Sequence, residues 1–232
     1  MITLRASQDR GHFDFGGLDP RHTFSFGRYI DRRHVSFRAL RVINEDVVAP
    51  GAGFPQHPHE DMEIVTYVLA GTLAHSDSLG SVQTLSPGEV QRMSAGRGIE
   101  HSEFNASKAE PVHLLQIWLL PREQGIEPSY EQKRFARESL RNRLCPIVTP
   151  DAREGSLKVH QDASIYAARL DAGASVVFEP ARGRHAWVQV ARGEITLNAT
   201  SLRGGDGAAG AEEKRRSIVA TAGSEVLVFD LA

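Results

Sequence analysis

The chain has 232 residues, 41% hydrophobic and 24% charged, with 27 basic against 29 acidic side chains and a formal net charge of −2, enough for one large all-β domain or two of about a hundred residues each. Charges of both signs are interspersed, which excludes an electrostatic footprint for nucleic acid or an anionic membrane surface; no apolar run reaches about eighteen residues, and the single Cys145 cannot make an intramolecular disulfide. The expectation is a cytoplasmic protein that folds without staples and binds neither DNA nor membrane.

Residues 1–36 read as an arm with short strands, because Gly11, Gly16-Gly17 and Asp19-Pro20 are turn chemistry and Thr23-Phe24-Ser25-Phe26 alternates polar with apolar. Arg38 to Val48 is a strand and turn leading to the Gly51-Ala-Gly53 loop. Next comes Phe54-Pro-Gln-His57-Pro58-His59. Side chains alternate faces in an extended segment, so His57 and His59 point the same way. Ile64 to Leu69 is β-branched and aromatic and ends at Gly71, a hairpin mark, and Thr72 to Asp77 returns. Val82 to Leu85 and Val90 to Met93 continue around the Ser86-Pro-Gly88-Glu89 turn. The glycines of Ser94-Ala-Gly96-Arg-Gly98 then bring backbone close to His101-Ser-Glu103. Val112 to Leu120 is the most continuous apolar strand.

From Pro121 to about Gly155 the composition turns charged, which reads as a linker with a short helix near Arg137 to Arg143. Strand-like runs resume at Leu157–His160, Ile165–Leu170, Ser175–Glu179, Ala186–Val190, Ile195–Asn198, Arg216–Ala220 and Glu225–Asp230. Many short strands between Gly/Pro turns predict an all-β chain, a closed antiparallel barrel or a double-sheet jelly roll. The second half looks like an eroded copy of the first: Tyr67-Val-Leu-Ala-Gly71-Thr-Leu resembles Gln189-Val-Ala-Arg-Gly193-Glu-Ile. On that register His57 and His59 fall opposite Glu179 and Ala181, and His101 and Glu103 fall near Ile218 and Ala220. The expected domains are therefore 1–120, a barrel with a metal site; 121–155, a linker; and 156–232, a barrel without ligands, where His185 is structural.

One of the ten histidines on a strand face is ordinarily a surface or core residue. Two same-face ligand pairs some forty residues apart, each after a Gly-rich turn, are harder to obtain by chance. If the two strands lie side by side, His57, His59, His101 and Glu103 converge. Three neutral nitrogens and a carboxylate suit a divalent first-row metal and suit calcium and magnesium poorly.

These residues bring a family into view. Gly51, His57-x-His59 and Glu63 match the first half of the cupin motif, and Gly98-x-x-His101-x-x-x-Asn105 matches the end of the second. The chain most resembles the pirins, and within them bacterial pirin-like proteins with quercetin 2,3-dioxygenase activity, through His22-Thr-Phe-Ser-Phe26, His57-Pro-His59, Glu63-Ile-Val-Thr-Tyr-Val-Leu69, Met93-Ser-Ala-Gly-Arg-Gly-Ile99, His101-Ser-Glu103 and Gly155-Ser-Leu-Lys-Val-His-Gln161. The resemblance implies a bicupin with metal in the N-terminal barrel alone, held by His57, His59, His101 and Glu103, with Glu63 off the metal. It implies Fe2+ first, with Mn, Ni, Cu, Co and Zn as alternatives. It also implies a flavonol and O2 as substrates, ring cleavage with loss of carbon monoxide, and Glu103 as proton acceptor, for which its pKa would have to rise from about 4.3. Asp61, Glu63 and Gln116 are candidates to support the ligands, and Phe54, Met62 and Phe104 are candidates to wall the pocket. The competing expectation is a metal-dependent, redox-sensitive partner of other proteins. A monomer is plausible in either case.

Overall fold

A computed structural model describes residues 2–210 and 215–232. Its strands, in chain order, are β1 (Ile2–Arg5), β2 (Gly11–His12), β3 (Leu18–His22), β4 (Leu40–Val48), β5 (Gly53–His59), β6 (Glu63–Ala70), β7 (Leu73–Asp77), β8 (Val82–Leu85), β9 (Glu89–Ser94), β10 (Ile99–Asn105) and β11 (Val112–Leu119). There follow β12 (Ser129–Arg134), a one-turn helix α1 (Arg137–Leu140), β13 (Cys145–Thr149), β14 (Leu157–Lys158), β15 (Ala163–Leu170), β16 (Ser175–Phe178), β17 (His185–Arg192), β18 (Glu194–Leu197), β19 (Thr200–Arg203), β20 (Gly207–Gly210), β21 (Arg216–Ala220) and β22 (Ser224–Leu231).

The chain forms two compact units. One comprises Gly11–Arg134 with Val159–Gln161; the other comprises Met1–Arg10, Phe135–Lys158 and Asp162–Ala232. In the first, a seven-stranded sheet ordered β12-β9-β6-β11-β4-β3-β2 accompanies a four-stranded sheet ordered β5-β10-β7-β8. In the second, the orders are β1-β20-β17-β22-β15-β13-β14 and β16-β21-β18-β19. The two plans match strand for strand from β4 to β11 and from β15 to β22. Each unit is thus a double-sheet jelly roll rather than a closed barrel, and the internal repeat read from the sequence is a repeat of topology. Gly71 and Gly193 close the corresponding hairpins with φ of 74° and 80°, a left-handed conformation that glycine adopts without a Cβ penalty.

The regions that differ from expectation have physical reasons. Residues 121–155 hold β12 and β13 as well as the helix. β12, Ser-Tyr-Glu-Gln-Lys-Arg, is an edge strand on β9 with every residue at least partly exposed, so it carries no apolar periodicity to read. Thr23 to Phe26 is no strand: Ser25 Oγ and the Ser25 backbone N bond the 31–34 turn, and Phe26 makes only an isolated bridge to Tyr29. β1 pairs with β20, so the first ten residues belong to the second unit. β19 and β20 were also unforeseen, the latter being Gly-Ala-Ala-Gly.

In the first unit the inward face of the large sheet is layered. Val48, Val68, Leu73, Leu85, Val112 and Leu114 form one buried apolar cluster, and Ile64, Met93, Ala95 and Ile99 form another. Between them runs a row of polar residues in cross-strand register: His22 opposite Asn44, Asn44 opposite Gln116, Gln116 opposite Thr66, Thr66 opposite Gln91 and Gln91 opposite Gln132. Directly opposed residues share a face of the sheet. Buried polar groups cost free energy unless paired, so this row calls for partners.

Candidate metal centre

The partners lie on the small sheet. Burial along β10 alternates, with Ile99, His101, Glu103 and Asn105 buried and Glu100 and Phe104 exposed. His101 stands opposite His57 on β5 and opposite Asp77 on β7, while Glu103 stands opposite His75. The β5–β10 register shifts between His101 and Glu103, where Pro55 has no N–H to offer the ladder. His57 Nδ1 turns back and donates to the freed Pro55 carbonyl at 2.7 Å. That bond leaves its Nε2 as a bare lone pair, the arrangement expected of a metal-binding imidazole. Gly53 lets β5 approach closely: a Cβ there would overlap the Glu103 carbonyl oxygen.

The three Nε2 atoms converge, with His59 to His101 at 3.0 Å and His101 to His57 at 3.1 Å. With metal–nitrogen bonds of about 2.1 Å, ligands at a right angle stand about 3.0 Å apart and tetrahedral ones about 3.4 Å. Each of the two separations fits a pair of ligands at a right angle. Burial first, then the neighbouring imidazoles, pushes the His59 pKa down to about 4. Burial likewise leads in pushing His101 down to about 4, helped by His57 and His75 against the pull of Glu103. Neutral rings keep the lone pairs a metal needs. The Trp118 ring meets His59 edge-on at 4.9 Å and restricts it. His101 Nδ1 is buried with no hydrogen-bond partner among the described residues. The donor set fits a transition metal.

Glu103 is 1% exposed and lodged in the polar row. Gln116 Nε2 donates to its Oε2 at 2.5 Å and Thr66 Oγ1 to its Oε1 at 3.3 Å. Burial acts to raise its pKa, but His75, His101 and Thr66 outweigh it and hold the carboxyl below the usual range. The rise that would make Glu103 a stronger base is therefore absent, because the surroundings are a hydrogen-bonding row rather than an apolar wall. Ligand atoms of His57, His59 and His101 lie within 4.8 Å of one another, and those of His75, His101 and Glu103 form a second such set. Of the four expected ligands, Glu103 thus keeps company with His101 and His75.

Of the candidate supports, Gln116 touches the site. Asp61 accepts from Gly125 N. Glu63 Oε2 accepts from Ser94 Oγ at 2.9 Å and from His160 N at 3.2 Å, away from the imidazoles. Phe104 is 39% exposed on the outer face of β10, Phe54 packs on the Val68 cluster, and Met62 packs on the cluster of Ile64, Met93, Ala95 and Ile99. The sequence reading missed His75, Thr66, Gln91, Tyr130 and Trp118. His75 had a signal: His75-Ser-Asp77 repeats on β7 the same-face device of His57-Pro-His59 and His101-Ser-Glu103, and the three occupy adjacent strands.

The second unit fills these positions with hydrocarbon. Counting from Gly71 and Gly193, His75 corresponds to Leu197 and Thr66 to Val188. Strand pairing then sets Ile218, opposite Leu197, in the place of Glu103, two residues before the Ala220 expected from the sequence register, and Val228, opposite Val188, in the place of Gln116. All four are buried in one apolar cluster. Among the described residues no metal-capable group occurs there, and His185 is the first residue of β17. A cavity of about 580 Å³ does lie in this unit, lined by Arg137, Arg141, Arg169 and Arg192 among others, and none of its residues belongs to the imidazole cluster. No described helix is long and apolar enough to cross a membrane.

Comparison with known proteins gives concordant matches. A family model described as pirin matches residues 4–119, and one described as quercetinase C-terminal cupin domain matches residues 146–231. The quercetin 2,3-dioxygenase of Escherichia coli strain K12 is 49% identical over 231 residues, covering 100% of this chain and 99% of that one. A putative quercetin 2,3-dioxygenase of Pseudomonas aeruginosa is 39% identical over 233 residues and covers 100% of both. The crystal structure of the E. coli bacterial pirin YhhW in complex with nickel(II) superimposes with a TM-score of 0.95 at 49% identity, covering 100% of this chain and 99% of that chain.

Proposed function

The chain belongs to the pirin family, and we propose from that premise that it cleaves the central ring of a flavonol with O2, releasing carbon monoxide. It is a dioxygenase of the quercetin 2,3-dioxygenase type, the name carried by relatives matched along its whole length. The observation that carries the reading is the convergence of the His57, His59 and His101 Nε2 atoms beside the buried Glu103. The regulatory, partner-binding alternative is not favoured.

In this reading His57, His59, His101 and Glu103 hold one divalent metal. When bound, the metal supplies Lewis acidity for an anionic oxygen substrate and redox chemistry toward O2. Iron is the first choice by resemblance to the family; nickel(II), the metal of the YhhW complex, and Mn, Cu, Co and Zn are the alternatives, since such a donor set takes several ions.

The chain's own groups do the rest. A divalent ion and one carboxylate leave a net charge of about +1, which favours a flavonolate. Glu103 is ionised when substrate arrives; a 3-hydroxyl held on the metal would be more acidic than a free one, so a carboxylate held below the usual range can still accept its proton, at Oε1, the oxygen with the weaker partner, Thr66 at 3.3 Å against Gln116 at 2.5 Å on Oε2. The Trp118 ring, edge-on to His59, covers that side of the imidazole.

The test is to load the protein with Fe2+ anaerobically and follow O2 uptake and carbon monoxide release with quercetin. Both are expected for the wild type and lost in His59→Ala. Glu103→Gln should retain measurable metal and lose turnover. Full activity of His59→Ala would overturn the metal-centred reading, and full activity of Glu103→Gln would remove Glu103 as proton acceptor.

A further inference from the structure

The reaction as proposed leaves one buried group of the centre without a task. His75 has 0% side-chain exposure and is pinned on three sides: its Nε2 pairs with Asp77 Oδ2 at 2.9 Å, its ring stacks on Tyr130 at 4.9 Å, and Gln91 Nε2 lies 3.4 Å from its Nδ1. Asp77 is fixed in turn, its Oδ1 accepting from Leu79 N at 2.9 Å and Ser81 N at 3.1 Å in the β7–β8 turn. The same Nδ1 faces Glu103 Oε1 at 3.9 Å, and the ring lies 5.4 Å from that of the ligand candidate His101.

We propose that His75, anchored by Asp77, is a positioning residue for the Glu103 carboxylate, fixing how far Glu103 stands from the three converging imidazoles. This rests on the reading of Glu103 as metal ligand and proton acceptor. A buried carboxylate on a strand has a few rotamers open to it, and Gln116 and Thr66 approach it only from the floor of the large sheet. His75 comes from the neighbouring strand of Glu103's own sheet, directly opposite it. It therefore limits a direction of travel that the floor leaves open. The second unit supplies an internal comparison: where Ile218 replaces the carboxylate, Leu197 replaces the imidazole opposite it, so the two members stand or fall together. Residues that orient a metal's ligands are typically worth about 10–100-fold in metal affinity or activity.

The experiment uses the full chain, loaded with Co2+, in two variants. His75→Phe keeps a ring against Tyr130 and removes both nitrogens; His75→Asn returns an N–H near the Nδ1 position. Dissociation constants are measured by chelator competition, the ligand field by the visible spectrum, kcat and KM with quercetin on the iron form, and the melting point on metal-free protein. The expected result for His75→Phe is about 10–100-fold weaker Co2+ binding, an altered spectrum and a fall in kcat larger than the change in KM, with His75→Asn recovering part of each. Cobalt binding and spectrum unchanged in His75→Phe would overturn the inference. So would equal losses in both variants tracking a lower metal-free melting point. If His75→Phe does not fold, His75→Leu, the residue that the second unit carries at the equivalent position, takes its place on the same criteria. A wild type that binds cobalt but does not turn over fails the dioxygenase reading and leaves the affinity and spectral comparison intact.

Discussion

Gly53→Ala separates close strand approach from turn chemistry at the centre. A Cβ at Gly53 would overlap the Glu103 carbonyl oxygen and lie 2.6 Å from Phe104 Cα, whereas carbon atoms in contact keep about 3.5–4.0 Å. β5 and β10 must therefore part by about 1 Å. Overpacking of this kind costs about 1–3 kcal/mol, and at about 2–4 °C per kcal/mol for a domain of this size the melting point should drop by roughly 2–12 °C. The same displacement opens the His57–His101 separation of 3.1 Å toward about 4 Å, too wide for a right-angled pair of ligands with bonds of about 2.1 Å. Metal affinity should fall at least about tenfold, by analogy with other losses of ligand geometry. Gly51→Ala is the control: Gly51 has φ of 73° with nothing within 4 Å of the added Cβ, so it should cost about 1–2 kcal/mol of left-handed strain and leave the metal alone. Thermal melts and chelator competition on both variants decide. Wild-type affinity in Gly53→Ala, or an equal loss in Gly51→Ala, would refute the reasoning.

Met93 is fully buried against Ile64, Ala95 and Ile99, so Met93→Ala should destabilise by about 2–5 kcal/mol in a denaturant titration. Burial pushes the Glu63 carboxyl up despite its bonds from His160 N and Ser94, so the folded state holds that proton more firmly than the unfolded chain. Its contribution is complete below the ordinary carboxylate value and is lost as pH rises through the raised one. Glu63→Gln should therefore gain in melting point relative to wild type as pH rises above the ordinary carboxylate value; parallel curves would contradict this. Tyr130→Phe loses the 2.7 Å bond to Gln132 and should cost about 0.5–1.5 kcal/mol. Its ring stays stacked on His75, so cobalt affinity should be unchanged by the same competition assay.

The sequence by itself determined the all-β class, the repeat and the pairs of same-face ligand candidates, because these depend on local rules. Alternation puts His57 with His59 and His101 with Glu103 whatever the strands pair with, and a glycine such as Gly71 or Gly193 marks a turn wherever it occurs. Gly/Pro turns and β-branched runs located nearly every strand with an apolar face. Strands without such a face, β12 above all, stayed invisible, since nothing in Ser-Tyr-Glu-Gln-Lys-Arg distinguishes an edge strand from a charged linker. The tertiary structure alone decided which residues surround Glu103. Gln116 and Thr66 come from two strands of the large sheet and His75 from the small one, and Gln116 and Thr66 meet because cross-strand register sets one residue of each strand at the same height on the sheet. That register also faces Glu103 with a polar row, and so sets the direction of its pKa: the energy of a buried charge is set by the donors that face it, and those donors are assembled by strand pairing over distances that no local pattern records.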